Sequence, residues 1–464
     1  MVGSETFQLP PADEIILSAS PGEWRAATLR GGQVWGLDWH WPDRPNLVGA
    51  VFGVRIIRLS PELRGAFVSS DSQGTEGFLD LSRARGHPLH EGQRVLAQVT
   101  RMPENGKRLT FTPAIRLVGR YLVYTPMHAG VSASRQLPRP AAGPLQGMVL
   151  RELQAGEGAI VRAAASHLAS APEPLRAELD RHRSVWQALK RGDELGLLHD
   201  VRTLAEALLL QRPDTGRLTI IAGDGRAHAA ARAAVQSWAP TEPIAVSLDT
   251  ADPFASHGAD EAMALALGSE MPLASGGTLW LERTRACWTA DVDSGRAHGQ
   301  AGAVRLMANR EAAVELARQV RLRQAAGPIV ADFLRMDGRA EQAEVIQRLQ
   351  AAFAQDPAVL HFNSGFDRLG LYAFSRSHIA PPLSSRLSDG GLCQAVLTGL
   401  RVLVRNTLAE PHRRLALNLS PAGVSACALL PMAMAEAQAQ LGQRPQIAAD
   451  PALPRAGYAV RPAE

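Results

Sequence analysis

Apolar positions along this chain change their spacing several times, and each change marks a predicted element. Between residues 13 and 40, short apolar runs alternate with turns: Ile15-Ile16-Leu17, then Leu29 and Val34 around Gly31-Gly32, then Trp35, Trp39 and Trp41. This reads as β-hairpin material. From Asn46 the strands become short, at 49–58, 66–69, 77–79, 94–101 and 109–112, with glycine turns between them. Five short strands in succession fit a barrel of the OB type. Further strands are expected at 121–124 and 158–162. Helical spacing then takes over at 172–192, where Leu175, Leu179, Trp186 and Leu189 recur near one face. Residues 204–210 form a short apolar run.

The second half predicts strands and helices in alternation. Residues 218–222 read as a strand and 225–238 as an alanine-rich helix. Gly223-Asp224-Gly225 between them reads as a turn, since a lone Gly-x-Gly is a weak phosphate-loop signal. A hairpin turns at Ser275-Gly276-Gly277. In the strand 287–293, residues two apart point the same way. Thr289, Asp291 and Asp293 therefore share one face, and Trp288, Ala290 and Val292 the other. A strong helix at 307–326 is expected to stop at Gly327. The apolar strand Ile329-Val330-Ala331 then delivers Asp332 at its end. Residues 342–355 predict an amphipathic helix and 361–374 one or two strands. The stretch 381–391, rich in Pro, Ser and Gly, reads as a linker. Helix 392–408, strand 415–419 and helix 424–440 complete the chain.

Composition narrows the class. Of 464 residues, 46% are hydrophobic and 20% charged, as in globular chains. No apolar run is long enough for a membrane span, and the N-terminus lacks the basic start and apolar core of a secretory signal. The three cysteines, Cys287, Cys393 and Cys427, are far apart, which argues against a disulfide scaffold and points to a reducing cytoplasm. Net charge is +4 and the basic residues are nearly all arginine; lysine occurs only at Lys107 and Lys190. Arginine suits bidentate phosphate contacts, and the mild positive excess is compatible with a polyanionic partner.

Candidate chemistry centres on Asp291, Asp293 and Asp332. Carboxylates at the ends of neighbouring strands can meet at a sheet edge and hold a divalent cation such as magnesium. Spacing alone also admits strand-end aspartates that merely cap the next element. In the barrel region, Phe67 and Phe78 lie on successive strands and Lys107 in a turn. This pattern serves either single-stranded base stacking or barrel core. Trp35, Trp39 and Trp41 divide between the same two uses. Arg318, Arg321 and Arg323 read either as phosphate-reaching cations or as a solvated basic face.

Taken together, these segments resemble the ribonuclease E/G family of endoribonucleases over roughly residues 13–455. The likeness is strongest at Ser275-Gly276-Gly277, Ala290 to Ser294, Glu315 to Arg323 and Ile329 to Phe333. It is also clear at Gly65-Ala66-Phe67, Glu76 to Leu79 and Gly119 to Val123. The resemblance implies an α+β multidomain fold. A ribonuclease-H-like domain (1–45 and 206–268) would be interrupted by an OB-fold RNA-binding barrel (46–113) and a 5′-sensor region (114–205). A deoxyribonuclease-I-like catalytic domain (269–380), a linker (381–392) and a small α/β C-terminal domain (393–464) would follow.

The resemblance further implies magnesium-dependent cleavage of single-stranded RNA in RNA processing or decay, often with preference for a 5′-monophosphate. The family's metal-binding aspartates fall on Asp291 and Asp332. Its intervening asparagine falls on Asp293, a departure that adds negative charge where a phosphate must approach. Phe67, Phe78 and Lys107 match its RNA-binding residues, and Gly119, Val123 and Arg162 its 5′-phosphate sensor. The threonine that follows the sensor arginine in the family is Ala163 here. Of the family's zinc-link cysteine pair only Cys393 remains, so no zinc link is expected. A homo-oligomer is implied, with the dimer favoured over the family's zinc-linked tetramer. A catalytically weakened or inactive RNA-binding relative is the alternative reading.

Overall fold

The computed structural model describes residues 7–70, 76–82, 89–103, 108–199, 203–295, 301–336 and 338–463, with Ala301 described by its backbone alone. The chain divides into two compact units. One comprises Met1–Pro45, Leu218–Ala231 and Ala245–Glu464; the other comprises Asn46–Arg217 and Arg232–Ile244. Together they make a mixed α+β protein with one closed barrel and several separate sheets. Among the described residues, no helix is long and apolar enough to cross a membrane.

In the unit that begins at Asn46, five strands close on themselves: Val51–Ser60, Gly65–Ser69, Glu76–Asp80, Leu109–Thr112 and Arg94–Arg101, the last pairing back with the first. Alternating residues fill the interior, among them Val54, Ile56, Val68, Leu79, Val99 and Phe111. Gly65 is required by crowding, because a Cβ there would collide with the Phe78 ring. A four-stranded sheet follows, in the order Gly130–Ala133, Gly158–Val161, Leu122–Thr125, Leu117–Val118. Helices Arg139–Glu152 and Glu173–Arg191 cover it through Leu145, Val149, Leu175 and Leu179. Arg120 is fully buried in this unit and bridges Glu242 with two hydrogen bonds of 2.7 and 2.8 Å.

Among the described residues, the other unit carries three sheets. The hairpin material of 13–40 is a three-strand meander, Glu14–Ser20, Glu23–Arg30 and Gln33–His40, extended by Leu218–Ala222 in parallel with the first strand. Trp35 and Trp41 are buried in cores, which settles their packing role. Gly223 to Gly225 is the expected turn: the Asp224 carboxylate accepts from Ala19 N–H at 2.6 Å and Ala227 N–H at 2.9 Å. At the C-terminal end, a three-stranded sheet of Ile447–Ala449, Leu415–Leu419 and Tyr458–Pro462 packs with helices Leu392–Ala409 and Pro431–Leu441.

The sheet that positions the aspartates has six strands. Their order is Glu270–Pro272, Thr278–Arg283, Trp288–Asp293, Gly327–Asp332, Leu371–Arg376, Leu360–Phe362. Every pairing is antiparallel except that of Trp288–Asp293 with Gly327–Asp332. That parallel pair is joined by helix Ala301–Leu322, which packs Ala312, Ala313, Leu316 and Val320 into the sheet core.

Two expectations need correction here. The long helix starts before Met307 and ends at Leu322, not at Gly327. Gln324 already takes a left-handed backbone at φ 50°, and Gly327 opens the next strand. Arg318, Arg321 and Arg323 are buried and form neither a phosphate-reaching set nor a solvated face. Arg318 pairs with Glu315, and Arg323 donates to Leu281 O at 2.8 Å and to Met271 Sδ. The stretch 381–391 is anchored as well: Leu383 and Arg386 are buried in the turn Leu383–Leu387.

Candidate active site

The strand Trp288–Asp293 alternates as its sequence dictates. Trp288, Ala290 and Val292 enter the core, while Thr289, Asp291 and Asp293 are exposed. In the parallel pairing, Asp291 lies directly opposite Asp332, the last residue of its own strand. Two exposed carboxylates thus stand side by side at the strand ends. Burial first, and then the neighbouring Asp291 carboxylate, push the Asp332 carboxyl above its ordinary value. A cation between the two would remove that penalty.

Asp293 sits one step further along the same face and pairs across to Thr278. Its Oδ1 accepts from the Gly295 N–H at 3.1 Å, closing a turn directly after the strand. Gly277 lies against this turn, because a Cβ there would strike the Asp293 carbonyl oxygen. Among the described residues, no group of three His, Cys, Asp or Glu side chains gathers for a metal. Asp291 and Asp332 form a two-carboxylate set, which fits magnesium, an ion that keeps several waters and takes one or two protein carboxylates.

In the barrel, Phe67 and Phe78 are directly paired across strands Gly65–Ser69 and Glu76–Asp80, each half-buried. Their rings meet edge to face, with centroids 5.8 Å apart. The guanidinium of Arg58 lies 4.8 Å from the Phe67 centroid and that of Arg108 5.3 Å. Arg108 is held by Glu76 at 2.6 Å. Sequence reasoning named the aromatics and missed both arginines. Lys107 lies outside the described residues.

The sensor candidates come together around one turn. Gly119 accepts on its carbonyl from Arg162 Nη1, and Arg162 N donates to Tyr121 O at 2.9 Å. Val123 lies just beyond, on the strand antiparallel to Gly158–Val161. Beneath the turn is a carboxylate that sequence reasoning did not single out. Glu178 accepts from the N–H groups of Arg120 at 2.8 Å, Tyr121 at 3.0 Å and Leu122 at 2.8 Å. Burial pushes its carboxyl up, against the opposing pull of those donors and of Arg162. Gly119 leaves no space for a side chain, since a Cβ would overlap the Glu178 carboxylate. Ala163 starts the short helix Ala163–Leu168.

Cys393 is fully buried in the C-terminal core beside Trp41, Val396 and Leu397. Burial, with Asp389 adding, pushes its thiol up to about 12.

The model for the Ribonuclease E/G family matches residues 116–379. The chain is 30% identical to Ribonuclease E of Escherichia coli (strain K12) over 404 residues, which is 80% of this chain and 37% of that protein. It is 28% identical to Ribonuclease E of Haemophilus influenzae over 400 residues, 80% of this chain and 42% of that protein. It is 26% identical to Ribonuclease G of Escherichia coli (strain K12) over 392 residues, covering 78% of this chain and 79% of that protein. The chain therefore spans less than half the length of these ribonuclease E relatives and about four-fifths of the ribonuclease G relative.

Proposed function

We propose, since the chain belongs to the ribonuclease E/G family, that it is a magnesium-dependent endoribonuclease acting on single-stranded RNA. The observation that carries this reading is the direct pairing of Asp291 with Asp332 on neighbouring strand ends. Two exposed carboxylates at facing strand ends repel each other, and a shared cation relieves that repulsion. In this reading the sheet containing them is the deoxyribonuclease-I-like part. The meander with Leu218–Ala222 belongs to the ribonuclease-H-like part, and the closed barrel is the OB-type RNA-binding module.

Asp291 and Asp332 would hold the magnesium ion. When bound, such an ion supplies Lewis-acid polarisation of a phosphoryl oxygen and activation of water. Asp293 has the role of orienting the attacking water, with its side chain steadied by the Gly295 N–H. Its charge opposes the approaching phosphate, so this chain should bind RNA at the site more weakly than a relative with asparagine in its place. Phe67 and Phe78 would stack bases, with Arg58 and Arg108 facing phosphates, and Lys107 is a further candidate RNA contact by resemblance to the family. Gly119, Val123 and Arg162 are the candidate contacts for a 5′ end.

The deciding experiment incubates the protein with a short single-stranded RNA and its DNA analogue. Each carries a 5′-monophosphate or a 5′-hydroxyl, with magnesium or with EDTA. Cleavage of the RNA alone, in magnesium alone, is expected, together with a loss of at least about a thousandfold in Asp332→Asn while RNA binding persists. Full turnover by Asp332→Asn would remove the assignment. RNA binding without cleavage by the wild type would favour the inactive relative, which the Asp293 and Ala163 departures allow.

A further inference from the structure

Asn309 is fully buried within helix Ala301–Leu322. Helix formation does not call for an asparagine, and a buried amide must find partners. It finds both on one residue: Nδ2 donates to Leu334 O at 2.7 Å, and Leu334 N donates to Oδ1 at 2.9 Å. Leu334 lies two residues past Asp332, just beyond the end of its strand. One helical turn earlier, Arg305 Nε donates to Arg335 O at 3.0 Å. The helix therefore grips the chain leaving Asp332 at two successive residues.

The same helix grips the sheet on its other side. Glu311, two residues on from Asn309 and turned by roughly half a circle, accepts from Ser275 N–H at 2.8 Å. Ser275 opens the turn whose Gly277 lies against the Asp293 carbonyl. Within a short stretch of helix, one side chain fixes the backbone after Asp332, and another fixes the turn against which Asp293 packs. Asp291 lies on the strand between these two anchors.

We propose that Asn309 is a positioning residue for the Asp291–Asp332 pair. Its two-way bond to Leu334 fixes the backbone at the end of the Asp332 strand, and with it the gap between the two carboxylates, at the spacing a divalent ion needs. Glu311 supports the opposite side. The inference rests on the reading of the pair as a metal site. Groups that orient metal ligands without touching the metal commonly change affinity by about 10–100-fold.

The test is Mn²⁺ binding to the full chain, followed by the loss of the free-ion paramagnetic resonance signal, alongside magnesium titrations of RNA cleavage. Asn309→Ala should weaken Mn²⁺ binding about tenfold and raise the half-maximal magnesium by a similar factor. Excess magnesium should restore the rate, and RNA affinity in EDTA should stay unchanged. A purely packing role would lower the melting temperature and leave Mn²⁺ affinity of the folded protein intact; that outcome overturns the proposal. If Asn309→Ala does not fold, Asn309→Ser makes the same comparison. Asp332→Asn separates the two levels. If it binds Mn²⁺ like wild type, the metal reading fails and the inference with it. If it loses the ion while folded Asn309 variants keep it, only the inference fails.

Discussion

Phe67 presents its ring on a barrel surface that already carries Phe78 and two guanidiniums. Base–aromatic stacking is worth about 1–3 kcal/mol per base. Phe67→Ala should therefore weaken single-stranded RNA binding by about tenfold or more, measured by fluorescence anisotropy in EDTA with a labelled oligonucleotide. Unchanged affinity would leave Phe67 with no role beyond packing against Phe78. The two phenylalanines were legible because strand alternation places them. Arg58 was not, and the reason is local. A bulge between Ile56 and Arg58 shifts the register, so that Arg58 rather than Ile57 lies opposite Phe67. One inserted residue reverses the face of everything after it, and nothing in the residue types announces it. Asp291, Asp293 and Asp332 were legible as a set because alternation and strand ends suffice for them. That Asp332 aligns with Asp291, and not with its neighbour, is a matter of register that only pairing decides.

At the scale of elements, the helix Glu173–Arg191 shows what periodicity captures and omits. Its apolar residues announce the helix and its buried face. Glu178 lies on that buried face among them, but a charged residue reads as solvated unless its partners are known. Those partners are three main-chain N–H groups in a turn far away in sequence. Glu178→Ala should leave them buried and unpaired, at about 1–3 kcal/mol each, and so destabilise its unit by several kcal/mol in urea titrations. Because Arg162 and Gly119 meet at the same turn, any preference for 5′-monophosphate over 5′-hydroxyl RNA should fall as well. A stable variant with an unchanged 5′ preference would separate the turn from sensing. Element boundaries were less legible than their existence. The long helix ends at Leu322, and two residues on Gln324 takes a left-handed backbone, a conformation seldom adopted by glutamine; its side-chain amide donates to Leu37 O and Asp38 Oδ1, partners distant in sequence.

At the largest scale, the unit holding the aspartates is tied together by a buried charge. Glu23, on the first sheet, bridges Arg386 and, at 2.7 Å, Arg401, and accepts from Trp41 Nε1 at 3.1 Å. Burial raises its carboxyl, but Arg386, Arg401 and Arg25 prevail and hold it at about 2, below the ordinary 4.5. A depressed carboxyl stabilises the fold above its ordinary value, and that stability is lost as pH falls from 4.5 toward 2. Asp38 has the opposite sign. Burial raises it to about 6 from 3.8, so its contribution is present at low pH and lost as pH rises through about 6. Thermal melts across this range should show an acid limb that Glu23→Gln flattens, after costing about 3–5 kcal/mol at neutral pH by leaving the arginines buried without their partner. An unaltered acid limb in that variant would place acid sensitivity elsewhere. The same bridge fixes Arg386 within 381–391: composition there reports flexible residue types, while Arg386 and Leu383 are held by partners distant in sequence. The one parallel pairing in the six-stranded sheet has a consequence in time. Antiparallel neighbours can zip from a short turn, but parallel neighbours must wait for a crossover. Asp291 and Asp332 can therefore meet only once the whole crossover between them has been made, and a chain still emerging from synthesis has no assembled pair until the strand that ends at Asp332 is out.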